Sequence, residues 1–328
     1  MNDLNCCVVG YGGIAAYHVE ALKKIEGICL RTLVGRRAEP AGAFAKTHGF
    51  EKVTARYEDA LDDPGIHAVV ITAPSELHYE MTAQALGAGK DVLVEIPLAM
   101  SRRGAGELAA LARQTGRRVM VAHTRRFEPA ARVLMDLLAS GKTGRIHQHH
   151  SHAFWLRHEN VGWTGYQRSW VDDILFHHTC HHLDFALFTV GAQVRRVRGE
   201  LSPIDPRTGT SLDVSLLMRH ENECITTISL SYNSRKASSG DLFICENGLV
   251  TYSTKKVMFN DEVLFESGGD LHDSVLIQNQ EFVSAIRENR QPSCNAEDGL
   301  RALALLQEVH DQMVALEGGD RYKRRWGL

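Results

Sequence analysis

The chain lacks the features that mark membrane, secreted and nucleic-acid-binding proteins. No apolar run in its 328 residues approaches the ~20 residues that span a bilayer, and no basic segment followed by an apolar one opens it. The formal net charge of −3, without a polybasic block, gives no basic surface for nucleic acid or an anionic membrane. We therefore expect a globular protein with neither a membrane nor a nucleic-acid partner.

Cysteine is scarce, and its placement argues against structural disulfides. The seven cysteines are odd in number, scattered, and never arranged as C-x-x-C. A disulfide between the neighbours Cys6 and Cys7 would be strained. Reduced thiols and a cytoplasmic location are the expectation.

A glycine-rich turn follows the first apolar run. The stretch G10YGGIA15 leads into a helical pattern, and a second apolar run follows at 29–34. In this βαβ context of about 30 residues, a G-x-G-x-x-G/A match indicates dinucleotide binding rather than a structural turn, which is the alternative. Gly10 allows the tight turn, and Gly12 lets the backbone approach a pyrophosphate at the helix start. The predicted phosphate-binding residues are Gly10, Gly12, Gly13 and Ile14.

The end of the second strand indicates which dinucleotide is preferred. An NAD site often carries Asp or Glu there to hold the ribose 2′-hydroxyl. This chain instead has Gly35, followed by Arg36 and Arg37. Arginine grips a 2′-phosphate through paired hydrogen bonds. We therefore predict NADP, with NAD possible; the alternative is that both arginines are solvent-facing loop residues.

Apolar runs alternate with helical patterns through the first 122 residues. Strands are expected at 67–72, 91–95 and 118–122, with helices at 75–88 and 101–115. This alternation predicts an α/β fold with a doubly wound parallel sheet, a dinucleotide-binding Rossmann domain over residues 1–122.

From residue 146 onward, alternating strand patterns dominate the chain. They lie at 147–155, 211–220, 223–233, 240–247, 248–254 and 256–260, and two amphipathic helical patterns follow them. We expect residues 123–328 to form an α+β domain for substrate binding and oligomerisation, with a large, open, mainly antiparallel sheet.

Three sequence blocks in the first domain indicate a family. G10YGGIAAYH18, I71TAPSELH78 and V94EIPLA99, in this order and spacing, resemble the Gfo/Idh/MocA oxidoreductases. The resemblance implies a dehydrogenase whose open sheet is commonly covered by a second subunit, so a homodimer or larger homo-oligomer is expected. It also implies nicotinamide-side residues, namely Thr72, Pro74, His78, Glu95 and Pro97.

Two departures from the family pattern are informative. The family's E-K-P is Glu95-Ile96-Pro97 here, so the lysine near nicotinamide and substrate hydroxyl is missing. The family's D-x-x-x-H-x-x-D, counted back from Asp184, has His181 at the histidine and His177 at the first aspartate.

Longer blocks resemble a narrower group, the 4-carboxy-2-hydroxymuconate-6-semialdehyde dehydrogenases of aromatic-compound degradation. These blocks are A122HTRRFEP129, R168SWVDDILFHHTCHHLD184 and L230SYN233. The resemblance implies oxidation of a carboxylated cyclic hemiacetal, a small molecule, to a lactone such as 2-pyrone-4,6-dicarboxylate. Two rival functions stay open: an NAD(P)-dependent sugar, inositol or hydroxy-acid dehydrogenase, and a non-catalytic NADP(H)-binding sensor.

The stretch FHHTCHHLD holds two histidine pairs with i,i+4 spacing, His177/His181 and His178/His182. On a helix each pair shares one face. Such a pair can supply two zinc ligands, but H-E-x-x-H is absent and a dinucleotide supplies the redox chemistry, so no metal is predicted. The resemblance makes His181 the general base and His177 its orienter or alternate, whereas the alternative is polar histidines on a buried helix. An ordinary histidine pKa of about 6.5 suits a general base.

Substrate carboxylates require cations, and arginine's planar fork suits them. The predicted carboxylate-binding residues are Arg125, Arg126 and Arg168. The residues predicted to line the substrate pocket are His123, Trp170 and Asn233. The histidine-rich run 148–152 is expected to face solvent or a subunit interface.

Overall fold

The computed structural model describes residues 3–161 and 173–317. Residues 3–122, 161 and 275–300 form one compact unit, and residues 123–160, 173–274 and 301–317 form a second. Residues 275–300, expected in the second domain, pack in the first unit, where the Val121 amide donates to the Cys294 carbonyl at 3.0 Å. The division into a dinucleotide-binding domain and a domain for substrate binding and oligomerisation stays a prediction.

A six-stranded parallel sheet forms the centre of the first unit. Its strands are β1 (Leu4–Val9), β2 (Ile28–Val34), β3 (Lys52–Thr54), β4 (Ala68–Ile71), β5 (Asp91–Val94) and β6 (Val119–Val121). They are ordered β3-β2-β1-β4-β5-β6, and every pairing is parallel. The predicted Rossmann fold is confirmed, and the strand order reverses between β1 and β4, where such sheets bind ligands.

Five helices connect these strands. They are α1 (Gly13–Lys23), α2 (Ala38–His48), α3 (Tyr57–Leu61), α4 (His78–Gly87) and α5 (Arg102–Thr115). The start of α5 is capped by the Ser101 hydroxyl, which accepts from the Gly104 amide at 3.1 Å, and Gly116 ends it in a left-handed conformation. The helix predicted at 75–88 is divided, because a 3₁₀ turn at Ser75–Leu77 precedes α4.

An eight-stranded sheet forms the second unit. Its strands are β7 (Ile146–Leu156), β8 (Val194–Leu201), β9 (Asp213–His220), β10 (Ile225–Ser231), β11 (Asn233–Cys245), β12 (Gly248–Ser253), β13 (Lys256–Phe259) and β14 (Glu262–Glu266). The order is β14-β13-β12-β11-β7-β10-β9-β8, and only the β7–β10 pairing among these is parallel. The expected mainly antiparallel sheet is confirmed.

The remaining helices are α6 (Pro129–Ala139), α7 (His178–Val190), α8 (Leu271–Arg287) and α9 (Ala296–Glu317). Phe185 of α7 and Phe243 of β11 are both fully buried in one apolar cluster with residues of α6. Residues that alternate with these along the strands, such as Leu242 and Ile244, are exposed. The sheet therefore has one covered face and one open face, as a strand period of two requires. Among the described helices, none is long and apolar enough to cross a membrane.

Candidate active site

The first glycine of the turn is required by the backbone. Gly10 has φ +105°, and an added Cβ would lie 2.6 Å from Thr72 Oγ1 and 2.9 Å from the Thr72 carbonyl oxygen. Thr72 is held in turn, because both its amide (2.9 Å) and its hydroxyl (2.7 Å) donate to the Val9 carbonyl. The carboxyl ends of β1 and β4 are thereby fixed side by side.

The start of α1 has the properties of a phosphate site. Gly12 is its N-cap, no side chain caps it, and the first turn contains no acidic residue. A Cβ on Gly12 would meet no heavy atom within 4 Å, so the space in front of the turn is open. Gly13 and Ile14 open the helix, where backbone amides and the helix dipole favour an anion. These features fit the pyrophosphate of a dinucleotide.

The end of β2 has no room for the carboxylate that typifies NAD sites. A Cβ at Gly35 would lie 2.6 Å from the Ala41 Cβ and 2.7 Å from the Tyr11 ring. Arg36 and Arg37 are exposed, and Arg37 Nε donates to the Tyr11 hydroxyl at 3.2 Å. Two cations next to a position that excludes acidic side chains fit a 2′-phosphate, and the preference for NADP stays a prediction.

The residues expected near the nicotinamide follow β4 and β5. His78 joins the two segments, since its ring nitrogens lie 2.8 Å from the Pro97 carbonyl oxygen and 2.9 Å from that of Ala73. Pro74 precedes the 3₁₀ turn. Ile96, at the position of the family's lysine, is buried. Position 96 therefore presents an apolar side chain, with no amine to exchange protons.

Glu95 contacts His18, which in turn contacts Asn279, and neither His18 nor Asn279 was predicted as a site residue. Its Oε1 lies 2.8 Å from His18 Nε2, and His18 Nδ1 lies 2.9 Å from Asn279 Oδ1. The sequence block G10YGGIAAYH18 contained His18, but nothing in its spacing indicated Asn279, which is 261 residues away.

In the second unit, the histidine cluster straddles a helix start. His177 is the N-cap of α7, with φ −91° and ψ −85°, so the prediction that His177 and His181 share a helical face is wrong. The physical reason is a turn ahead of the helix. The Asp173 carboxylate accepts from the amides of Leu175 (3.0 Å) and Phe176 (3.4 Å), and its carbonyl accepts from the His177 amide (2.9 Å).

His181 lies beside His123 and a buried ion pair. The two imidazole rings meet edge to face with centroids 6.2 Å apart. His123 Nδ1 lies 3.7 Å from Asp184 Oδ2, and Arg126 donates to both oxygens of Asp184, at 2.6 and 2.7 Å. This arrangement fixes Asp184 and gives His123 an anionic neighbour, so His181, the predicted base, sits next to an ordered polar cluster.

Arg125 is also committed to a carboxylate of the chain itself. Its Nη2 donates to Asp241 at 2.6 Å, its Nη1 lies 2.9 Å from His182 Nδ1, and its guanidinium lies over the Phe185 ring. His149 contacts Asp241 at 3.0 Å as well. Burial would raise the pKa of Asp241, but Arg125 and His149 bring it well below the ordinary aspartate value. Burial and then Arg125 lower the pKa of His182, so this imidazole is neutral at pH 7.

Both arginines therefore occupy positions that favour a structural role over direct substrate binding. Asp241, His149 and Ser151, whose hydroxyl lies 2.8 Å from His182 Nδ1, were not predicted. The expectation that the run 148–152 faces solvent or a partner is wrong for His149. This residue is fully buried and stacks on Phe243, because its strand parity points it to the covered face of the sheet.

Other predicted residues lie elsewhere. The Asn233 amide donates to Asp213 at 2.8 Å, and its Oδ1 lies 2.9 Å from His158 Nε2. Arg168 and Trp170 lie outside the described residues. His178 is in contact with Arg157, at 3.3 Å, and with the Trp155 ring. Over residues 3–161 and 173–317, no three His, Cys, Asp or Glu side chains group closely enough to hold a metal ion.

Comparisons with known proteins agree on the class of molecule. Residues 4–123 match a family described as "Oxidoreductase family, NAD-binding Rossmann fold", and residues 129–263 match "Bacterial oxidoreductases, C-terminal". A 4-carboxy-2-hydroxymuconate-6-semialdehyde dehydrogenase from Sphingobium sp. (strain NBRC 103272 / SYK-6) is 31% identical, covering 94% of this chain and 99% of the relative.

Two further matches are more distant. A 1,5-anhydro-D-fructose reductase from Ensifer adhaerens is 27% identical over 90% of this chain and 92% of its own length. Among solved structures, a levoglucosan dehydrogenase in complex with NADH and levoglucosan has a TM-score of 0.86 at 19% identity, covering 96% of this chain and 98% of that one. The solved structure supports the fold alone.

Proposed function

This chain belongs to the Gfo/Idh/MocA family of NAD(P)-dependent oxidoreductases, and we propose that it oxidises a carboxylated cyclic hemiacetal to a lactone with NADP as cofactor. The substrate would be of the 4-carboxy-2-hydroxymuconate semialdehyde type, as the name of the Sphingobium relative suggests. The observation that carries the proposal is the buried Ile96, which removes the family's lysine from the reaction. A hemiacetal hydroxyl is more acidic than a sugar's secondary alcohol and needs less assistance to ionise.

The oxidation removes a hydride and a proton from the substrate, and each requires its own acceptor. The C–H bond at the anomeric carbon breaks and both of its electrons leave as hydride, while the O–H proton passes to a base, so that a lactone C=O forms. A bound nicotinamide cofactor would supply the hydride acceptor. We assign the proton to the His181 imidazole, whose place beside His123 and the Arg126–Asp184 pair supports the role. His177, just before α7, remains the alternate base.

Substrate carboxylates are assigned to Arg168. Arg125 and Arg126 already pair with Asp241 and Asp184, so we propose that they position the histidines of α7 and do not grip the substrate. Arg168→Gln should raise KM for a carboxylated substrate with a smaller effect on kcat, as expected when uniform binding is lost.

One assay tests the function. The purified protein is supplied with NADP or NAD and a panel of carboxylated semialdehydes, sugars and inositols, and formation of the reduced nicotinamide is followed by absorbance. We expect turnover of the carboxylated semialdehydes, faster with NADP. Turnover confined to sugars would instead support the rival function that the 1,5-anhydro-D-fructose reductase relative suggests. No turnover with any hydroxyl substrate would support the sensor.

The assignment of the base has its own test. His181→Ala should abolish turnover while dinucleotide affinity is retained, and near-normal turnover would end the assignment. His147→Ala is the matched control, because His147 is an exposed histidine on β7 and should behave as the unaltered protein.

We also propose that the chain works in the cytoplasm as a homodimer or larger homo-oligomer. All seven cysteines are free, as expected in a reducing compartment. The open face of the eight-stranded sheet exposes a set of large apolar side chains, Leu217, Leu242, Ile244 and Leu249, and a second copy would bury them. Light scattering should give at least twice the chain mass, and Leu242→Glu should reduce it; a monomeric unaltered protein would refute the proposal.

A further inference from the structure

Two buried polar side chains and one partly buried carboxylate are in contact in the first unit. His18 lies on α1 and is 1% exposed, Asn279 lies on α8 and is 0% exposed, and Glu95 follows the end of β5. His18 stands between the other two, with one ring nitrogen 2.9 Å from Asn279 Oδ1 and the other 2.8 Å from Glu95 Oε1.

The orientation of the Asn279 amide is fixed by the backbone. Its Nδ2 donates to the His18 carbonyl oxygen at 3.2 Å. The opposite orientation would place two oxygens against each other there, so Oδ1 must be the atom that faces the His18 ring. An amide oxygen only accepts. His18 Nδ1 therefore carries a hydrogen, and the tautomer follows from the network.

This tautomer determines the number of protons between His18 and Glu95. A neutral imidazole with Nδ1–H has a bare Nε2, and a bare nitrogen cannot bond to a carboxylate. The contact of 2.8 Å therefore requires one more proton. An imidazolium with a carboxylate satisfies it, and so does a neutral imidazole with a carboxylic acid. In both forms the pair shares one proton and carries no net charge.

We propose that His18 and Asn279 are positioning residues that hold Glu95 in this uncharged, proton-sharing pair. Ile96 places no charge on the residue next to Glu95, and a shared proton lowers the cost of holding the carboxylate in this partly buried position. Asn279 holds one proton on His18 Nδ1, so the additional proton lies between Nε2 and Glu95, and His18 orients the carboxyl group. The pairing stands on the first unit alone; its bearing on function rests on the proposed dinucleotide-binding role of Glu95, whatever the substrate.

Nuclear magnetic resonance of the full chain, labelled with ¹⁵N at histidine and without added cofactor, tests the pairing. The His18 signals are identified by their loss in His18→Gln. We expect a protonated Nδ1 and a proton shared between Nε2 and Glu95, shifted downfield and protected from exchange. A bare Nδ1 in the unaltered protein would overturn the proposal, and this measurement requires no variant that might fail to fold.

Substitution of Asn279 tests the direction of control. Asn279→Leu removes the acceptor, so the Nδ1 proton should lose its protection from exchange. Asn279→Asp keeps an acceptor and should retain that protection. Gln280→Leu is the matched control, because Gln280 is the exposed neighbour on α8 and should leave the His18 spectrum unchanged. A His18 spectrum that is identical in Asn279→Leu and the unaltered protein would refute the role of Asn279.

Equilibrium binding of NADP and NAD, followed by fluorescence, tests the positioning role. Asn279→Leu should weaken dinucleotide affinity about tenfold, equivalent to ~1.4 kcal/mol. If Asn279→Leu shows the expected change in the His18 spectrum but binds the dinucleotide with unchanged affinity, the pair does not position Glu95 for the cofactor. That result would overturn the positioning role. Absence of turnover in the substrate assay would leave both readouts untouched, so failure of the proposed substrate is distinguishable from failure of this inference.

Discussion

The buried ion pair between Arg125 and Asp241 supports a quantitative prediction about stability. Asp241→Asn keeps the shape of the side chain but removes the charge that faces Arg125 Nη2 at 2.6 Å. Both side chains are largely buried, Asp241 completely. Removing one partner of such a pair costs about 3–5 kcal/mol, because the other charge stays buried without compensation. For a unit of 150–250 residues, this loss lowers Tm by roughly 6–20 °C.

Urea unfolding at neutral pH, followed by circular dichroism, measures this loss as a change in the free energy of unfolding. Glu266→Gln is the control in the same unit, since the Lys256–Glu266 contact of 3.4 Å is exposed and such pairs contribute only about 0–1 kcal/mol. Arg125→Met combined with Asp241→Asn should lose less than the two single variants added together, as expected for residues in direct contact. If Asp241→Asn costs no more than Glu266→Gln, the buried pair does not stabilise the unit.

Three further predictions concern the phosphate turn, acid stability and the second ion pair. Gly12→Ala should leave Tm unchanged, because the added Cβ meets nothing within 4 Å; it should weaken dinucleotide affinity in a fluorescence titration, and unaltered affinity would remove Gly12 from the site. Although burial opposes it, Arg125 holds the pKa of Asp241 below its ordinary value, about 3.9. The stability that Asp241 adds is therefore complete above that pH and is lost as the pH falls. An acid titration of the free energy of unfolding should show a steeper loss in the unaltered protein than in Asp241→Asn. Parallel curves for the two proteins would contradict this. Arg126→Lys replaces a two-point contact with Asp184 by a single one, and should lower kcat with little change in cofactor affinity, whereas steady-state kinetics showing only a raised KM would place Arg126 on the substrate.

The first unit was readable from the sequence because its signals are local. Strand, glycine turn and helix follow one another within 30 residues, and the βαβ pattern repeats, so the Rossmann fold and the family resemblance are both confirmed.

The strands β8 and β14 of the second unit were missing from the expected strands, and their omission has a physical reason. β8 reads VRRVRGEL and β14 reads EVLFE, and both are edge strands whose charged residues face outward and obscure the alternation.

In the second unit, the ion pairs of the candidate site could not be predicted from the sequence. The partner of Arg125 is 116 residues away and that of Arg126 is 58 residues away, and no periodicity pairs residues at those separations. Each guanidinium was therefore interpreted as a substrate ligand, although each one already pairs with an aspartate of the same unit. The burial of His149 could have been predicted from the sequence. His149 alternates along β7 in step with Ser151 and Ala153, and both of those residues are also buried. Parity was the overlooked signal.

The crowded environment of Gly35 restricts how cofactor preference can evolve. Gly35→Asp by itself would introduce a Cβ 2.7 Å from the Tyr11 ring and 2.6 Å from Ala41, so the change that suits NAD is blocked by its neighbours. Both Tyr11 and Ala41 must first be replaced or displaced, and replacement of Tyr11 also removes the hydroxyl to which Arg37 donates. A carboxylate at position 35 therefore depends on prior substitutions at neighbouring positions, which is an epistatic constraint on the cofactor site.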